Sequence, residues 1–150
     1  MKKVLILTIV SLFTLAGIAQ LNPVIWSFSA VKTSDKMYEI HMKATIQDGW
    51  HLYSQRQPDD AIAIPTAFVV NANPLFSLEG KVKEVGKMEV MNDKELGVSA
   101  NQYSKEVDFV QKIKLKVNAK TNFNGTVEYQ TCDDKKCLPP KKVNFSIALK

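Results

Sequence analysis

The sequence predicts an all-β fold, an antiparallel β-sandwich, on three observations. Long stretches alternate apolar and polar residues with a period of two, as half-buried strands do. No segment carries the 3.6-residue apolar stripe of an amphipathic helix. Turn-forming residues at Asp48-Gly49, Pro58, Asn73-Pro74, Gly97 and Asn124-Gly125 cut the chain into short lengths.

The elements follow in order. Residues 24–31 read as the first strand. Over residues 38–47, Tyr38, Ile40, Met42, Ala44 and Ile46 fall on one face and Glu39, His41, Lys43, Thr45 and Gln47 on the other. Further strands are expected at 49–54, 66–70 and 80–90. Over residues 107–117, Val107, Phe109, Ile113, Leu115 and Val117 alternate against Asp108, Lys112, Lys114 and Lys116. Residues 126–132 form the next strand. The last sets Val143, Phe145, Ile147 and Leu149 against Lys142, Asn144, Ser146 and Lys150. Strands that bury one face and wet the other belong to antiparallel sheets, and lysines on the wet face oppose edge-to-edge aggregation. About seven to nine short strands in a domain of this size make the sandwich immunoglobulin-like. The usual inter-sheet disulfide is missing, because the chain's two cysteines, Cys132 and Cys137, lie five positions apart.

The first 19 residues read as an export signal. Met1-Lys2-Lys3 is a positive n-region, 4–18 is a mainly apolar run, and Gly17-Ile18-Ala19 offers small residues for cleavage before Gln20. The run is too short and wrongly flanked for a good membrane span. Residues 20–150 are then one soluble domain, expected to be a periplasmic monomer. The net charge of +5 includes Lys2 and Lys3. Only Arg56 among the basic residues is an arginine. Nucleic-acid binding usually wants arginine clusters with stacking aromatics, and neither is visible, so no nucleic-acid partner is expected.

The chemistry concentrates in Tyr129-Gln130-Thr131-Cys132-Asp133-Asp134-Lys135-Lys136-Cys137-Leu138-Pro139-Pro140. Alternation places Cys132 on the polar side as the strand ends, and the four residues after it form a hairpin loop. Residues opposed across a hairpin mouth lie about 4.5–5.5 Å apart at Cα, within the span of about 4.4–6.8 Å that a disulfide needs. Closing so short a loop stabilises by only about 2 kcal/mol. The pair is therefore either a small staple, as most exported cysteine pairs are, or an accessible redox switch. A metal site is a third reading. Zinc would need two more ligands, with only His41 and His51 as histidines, and His41 sits on a wet face. Copper(I) would suit the thiolates with Met88 or Met91, but those methionines have no ligand spacing and read as packing residues. No metal and no cofactor is expected.

These residues resemble a known family. Tyr-Gln-x-Cys, a short polar loop and Cys-x-Pro-Pro are similar to the active-site hairpin of the N-terminal periplasmic domain of the thiol:disulfide interchange reductase DsbD. Asp48-Gly49-Trp50-His51-Leu52-Tyr53 resembles that family's Asp-Gly-aromatic-x-Leu-Tyr strand, and Trp26-Ser27-Phe28 also fits. The resemblance implies an immunoglobulin-like sandwich that relays electrons by thiol–disulfide exchange to periplasmic thioredoxin-like proteins, among them disulfide isomerases and cytochrome c maturation thioredoxins. It implies that Cys137 forms the mixed disulfide and Cys132 resolves it. Trp50 and Leu52 are expected in the core, with His51 and Tyr53 on the opposite face beside the sulfurs. Tyr129 and Pro139, from the two halves of the motif, join that surround.

The sequence departs from the family pattern in three ways. Four residues separate the cysteines, where better-known members have five. The segment matching the family's cap loop, Asn92-Asp93-Lys94-Glu95-Leu96-Gly97, has no aromatic, so Leu96 is the expected cover. The membrane and thioredoxin-like domains of the parent are absent, so the expected donor is a separate membrane protein. The competing reading is a non-catalytic interaction module in which the disulfide is a brace.

Overall fold

The computed structural model describes residues 21–94 and 97–150. The expected signal segment and Leu96 lie outside the described residues. Among these there are eleven strands and no helix: β1 (Val24–Lys32), β2 (Met37–Ile46), β3 (His51–Tyr53), β4 (Ala67–Val70), β5 (Phe76–Gly86), β6 (Glu89–Asp93), β7 (Val98–Tyr103), β8 (Glu106–Leu115), β9 (Thr121–Tyr129), β10 (Thr131–Cys132) and β11 (Lys141–Leu149).

Every strand pairing is antiparallel, as the one-sided alternation requires. One sheet has the order β1-β2-β8-β5. The other strands form a three-stranded sheet, β11-β9-β4, and a second four-stranded one of shorter strands, β10-β3-β7-β6. All three sheets feed one core. Ile40, Met42 and Phe109 come from the first, Phe123, Val127 and Leu149 from the second, and Leu52 and Tyr103 from the third. Each fully buried aliphatic or Phe side chain contributes about 1.5–3 kcal/mol. Trp26 joins this core beside Tyr129, with ring centroids 5.4 Å apart, and beside Phe109 at 5.9 Å.

The long alternating strands are as expected in β2, β8 and β11. The exception to the β8 pattern is Val117, which lies beyond the strand and is half exposed. His41 is not merely solvated, because its Nδ1 lies 2.7 Å from Asp108 on the neighbouring strand.

Other boundaries differ. The expected strand at 80–90 is two strands, β5 and β6, and β5 begins earlier and is irregular between Glu79 and Lys83. Gly80 sits in that irregularity at φ +74°, a conformation that favours glycine. Strand β7 was not expected. Its buried positions include Ala100 and Gln102, which do not register as an apolar stripe.

The region of the cysteines is built from two local features. Gln47 to Trp50 is a tight turn, closed by the Trp50 amide donating to the Gln47 carbonyl at 3.0 Å, with Gly49 at φ +80°. It aims Trp50 and Leu52 into the core and launches β3. At the other end of the chain, Gln130 interrupts the strand between β9 and β10. The backbone there leaves the β11-β9-β4 sheet and pairs with β3, setting Thr131 opposite Leu52 and Cys132 opposite His51. The alternation carries through, with Thr131 on the core side beside Leu52 and Cys132 on the opposite face beside His51, but that face is covered here by Tyr53, Ala100, Ala63 and Met91, so Cys132 is buried.

Candidate functional site

Cys132 and Cys137 face each other across the hairpin and are disulfide-bonded, with their Cα atoms 4.0 Å apart. The separation is shorter than the sequence suggested, and the register accounts for the direction. The Asp133 amide donates to the Lys136 carbonyl and the Leu138 amide to the Thr131 carbonyl, both at 2.9 Å. The cysteines between those bonds form a non-hydrogen-bonded pair, the type in which opposed residues approach most closely.

The loop holds its own shape. The Asp133 carboxylate accepts the Lys135 amide at 2.8 Å and the Lys136 amide at 2.7 Å, an aspartate turn built from its own side chain. The Lys135 amide is the main cause that holds the Asp133 carboxyl below its usual range; desolvation opposes it, and the Lys136 amide and the two lysine charges add to the lowering.

The two sulfurs have different surroundings. Cys132 is 4% exposed, packed in a small cluster with Tyr53 and Ala100 that Met91 and Ala63 cover in part. Cys137 is exposed. Of the two, Cys137 is therefore the one open to a second protein.

His51 stands opposite Cys132 on the neighbouring strand. Its Nδ1 lies 3.2 Å from Ser104 Oγ and its Nε2 lies 3.4 Å from Asp134 Oδ1 in the hairpin loop. Ser104 in turn donates to Glu89. The imidazole thus links the loop to β6 and to the turn after β7. Tyr53 points to the same side but is buried, and that burial pushes its phenol pKa up. His51, Tyr53, Met91, Gln102 and Cys132 share a recess of about 270 Å³.

The structure thus brings His51 and Tyr53 to the cysteines. It does not bring Tyr129 and Pro139 there in the same way. They line a separate apolar recess of about 150 Å³ with Leu138 and Pro23, and Tyr129 belongs to the main core. Sequence reasoning weighed Met91 as a copper ligand and read it as a packing residue, which it is, but missed that it packs beside Cys132. It also missed Ser104 and Glu89, which no motif marks. Among the described residues no group of three or more His, Cys, Asp or Glu side chains is placed to hold a metal ion. Nor is any helix there long and apolar enough to cross a membrane.

Behind the site, Glu84 of β5 braces β3 and β7. Its carboxylate accepts Ser54 Oγ, the Gln55 amide and the Tyr103 hydroxyl, each at 2.7 Å, and Gln55 Nε2 at 3.1 Å. Burial alone would raise its pKa, but these hydrogen bonds outweigh it and hold the carboxyl below the usual range. Burial first, and then the bond to Glu84, push the Tyr103 phenol well above its ordinary value.

Comparison with known proteins places this arrangement. In fold, the chain is similar to the N-terminal domain of DsbD from Neisseria meningitidis in its reduced form, with a TM-score of 0.55 and 17% identity over 84% of this chain and 85% of that one. It is similar to the N-terminal periplasmic domain of ScsB from Proteus mirabilis, with a TM-score of 0.51 and 18% identity, covering 84% of this chain and 44% of that one. A third similar structure is the complex between the DsbD and PilB N-terminal domains of Neisseria meningitidis, with a TM-score of 0.51 and 15% identity over 85% of this chain and 87% of that one. No curated protein matches the sequence. Residues 20–149 match the family described as "Thiol:disulfide interchange protein DsbD, N-terminal". With nearly the whole chain inside that match and a disulfide hairpin at its centre, the protein belongs to the DsbD N-terminal domain family.

Proposed function

We propose that this chain relays reducing equivalents in the periplasm by thiol–disulfide exchange through Cys132 and Cys137. The observation that carries the assignment of roles is the unequal exposure of the two sulfurs. A donor thiolate attacks Cys137 Sγ, the Cys132–Cys137 bond breaks, and Cys132 leaves as a thiolate that takes up a proton. The donor's second thiolate then cleaves the mixed disulfide, leaving the donor oxidised and this chain a dithiol. In the forward transfer the Cys137 thiolate attacks an acceptor disulfide. Cys132, deprotonated, attacks Cys137 Sγ and releases the reduced acceptor.

His51 and Tyr53 shield and position the pair, and Leu96 is the proposed cover from the cap segment. Tyr129 and Pro139 support the hairpin from the far side. The partners are thioredoxin-like proteins, consistent with the PilB complex of the Neisseria domain, and the donor is a membrane-bound thiol domain. Residues 1–19 act as the export signal of a domain spanning 20–150. The brace reading is weakened by the loop itself, since backbone bonds and the Asp133 carboxylate hold its shape in addition to the disulfide.

Single-cysteine variants test the roles. Incubated with an oxidised thioredoxin-like protein, Cys132→Ser should accumulate a mixed disulfide through Cys137, and Cys137→Ser should form none. Equal trapping by both variants contradicts the roles, and no trapping by either contradicts the relay.

A further inference from the structure

The loop between β3 and β4 is an unusual neighbour for the cysteine pair. It is pinned along its length. The Ala61 amide donates to the Pro58 carbonyl at 3.1 Å, and Ser99 Oγ donates to Asp60 at 2.7 Å. Ala63 packs against the cluster that contains Cys132. The Ile64 amide donates to Gln130 Oε1 at 3.1 Å, and Gln130 Nε2 donates to the carbonyl of Leu138, the residue after Cys137, at 3.3 Å. One glutamine side chain therefore ties this loop to the reactive hairpin. Yet the side chains flanking Ala63 are turned out into water, with Ile62 78% exposed and Ile64 39% exposed.

We propose that Ile62 and Ile64 are the apolar grip by which this chain holds, and partly selects, its thioredoxin-like partner. This rests on the relay reading above and adds the contact surface to it. The commitment to that occupant follows from the chemistry of the site. A partner that bonds to Cys137 must bring a sulfur to about 2 Å from Cys137 Sγ, so its surface covers what lies beside that residue. Apolar side chains held in place by a fixed backbone bind at low ordering cost. Burying them also keeps water from the exchanging sulfurs. The same two isoleucines would contribute nothing to exchange with a small thiol, which needs only the sulfur.

The test compares two oxidants on the reduced mature protein, oxidised thioredoxin and oxidised glutathione, with disulfide formation followed by free-thiol labelling. The Ile62→Ser/Ile64→Ser variant should react roughly tenfold more slowly with thioredoxin, about 1.4 kcal/mol of lost contact, and at the unchanged rate with glutathione. Val31→Ser, at a half-exposed valine on β1 of the large sheet, should match the wild type with both. An unchanged thioredoxin rate overturns the proposal, as does equal slowing with glutathione or equal slowing by Val31→Ser. A wild type that dimerises through these residues, losing the dimer in the double variant, assigns the surface to a second copy and also overturns it. A wild type that reacts with glutathione but never with thioredoxin instead overturns the relay reading, and this surface falls with it.

Discussion

Reducing the Cys132–Cys137 bond should lower the folding stability by about 2 kcal/mol and leave the domain folded. The magnitude follows from the structure, since the bond closes a loop of only six residues, Cys132 to Cys137. Most of what positions the hairpin is independent of the sulfurs. The Asp133–Lys136 and Thr131–Leu138 backbone bonds, the Asp133 side-chain turn and the pairing of β10 with β3 involve no sulfur atom and are expected to persist on reduction. A domain of this size is typically stable by about 5–15 kcal/mol, so the loss is a minority share. The assay is urea unfolding at pH 7 with and without excess dithiothreitol. With a slope of about 1–3 kcal/mol per molar, the midpoint should fall by about 1 M while the β-sheet signal before the transition stays the same. A loss above about 4 kcal/mol, or unfolding on reduction in the absence of urea, would refute the reasoning. The pair would then be a brace, and a relay that unfolds in half of its working cycle is untenable.

Two more predictions concern the scaffold. Glu84→Ala strands the buried Ser54 and Tyr103 hydroxyls and should cost about 2–4 kcal/mol in urea unfolding. Because the folded carboxyl is held below its ordinary value of 4.5, its stabilisation is complete above that pH and is lost as pH falls through the lowered value. Wild type should therefore lose more stability between pH 7 and pH 3 than Glu84→Gln does, and parallel pH profiles would contradict the assignment. At Gly125, an added Cβ would lie 2.4 Å from the Val69 carbonyl oxygen and 2.6 Å from the Phe145 ring. Gly125→Ala should push β4 and the β11 side chain away from β9 and cost about 2–3 kcal/mol, read as a fall in melting temperature; an unchanged melting temperature would show that the strands give way freely.

The sandwich was legible where strands are long and wet on one side. Ile40, Met42, Phe109, Ile113, Phe145 and Ile147 are all buried as their alternation requires, because a one-residue slip would expose the whole set. It was not legible in β7, where Ala100 and Gln102 fill buried positions, nor in the split between β5 and β6. At the site, the cysteine spacing established proximity and the resemblance supplied the chemistry. The burial of Cys132 was hidden, because the face on which alternation places it, beside His51, is covered by Tyr53, Ala100, Ala63 and Met91 from distant parts of the chain. The surroundings were hidden for the same reason. Met91, Ser104 and Glu89 reach the site through tertiary pairing of β6 and β7, about thirty to fifty residues from the cysteines along the chain, and no local pattern records that distance closing.

The most direct test of the account is the reduction potential of the Cys132–Cys137 pair, measured by equilibrating the mature protein in thiol redox buffers and counting free thiols. A relay requires a potential in the range of exchange proteins, about −180 to −270 mV, and that is the value expected. A potential below about −300 mV would mark a structural disulfide and contradict the relay.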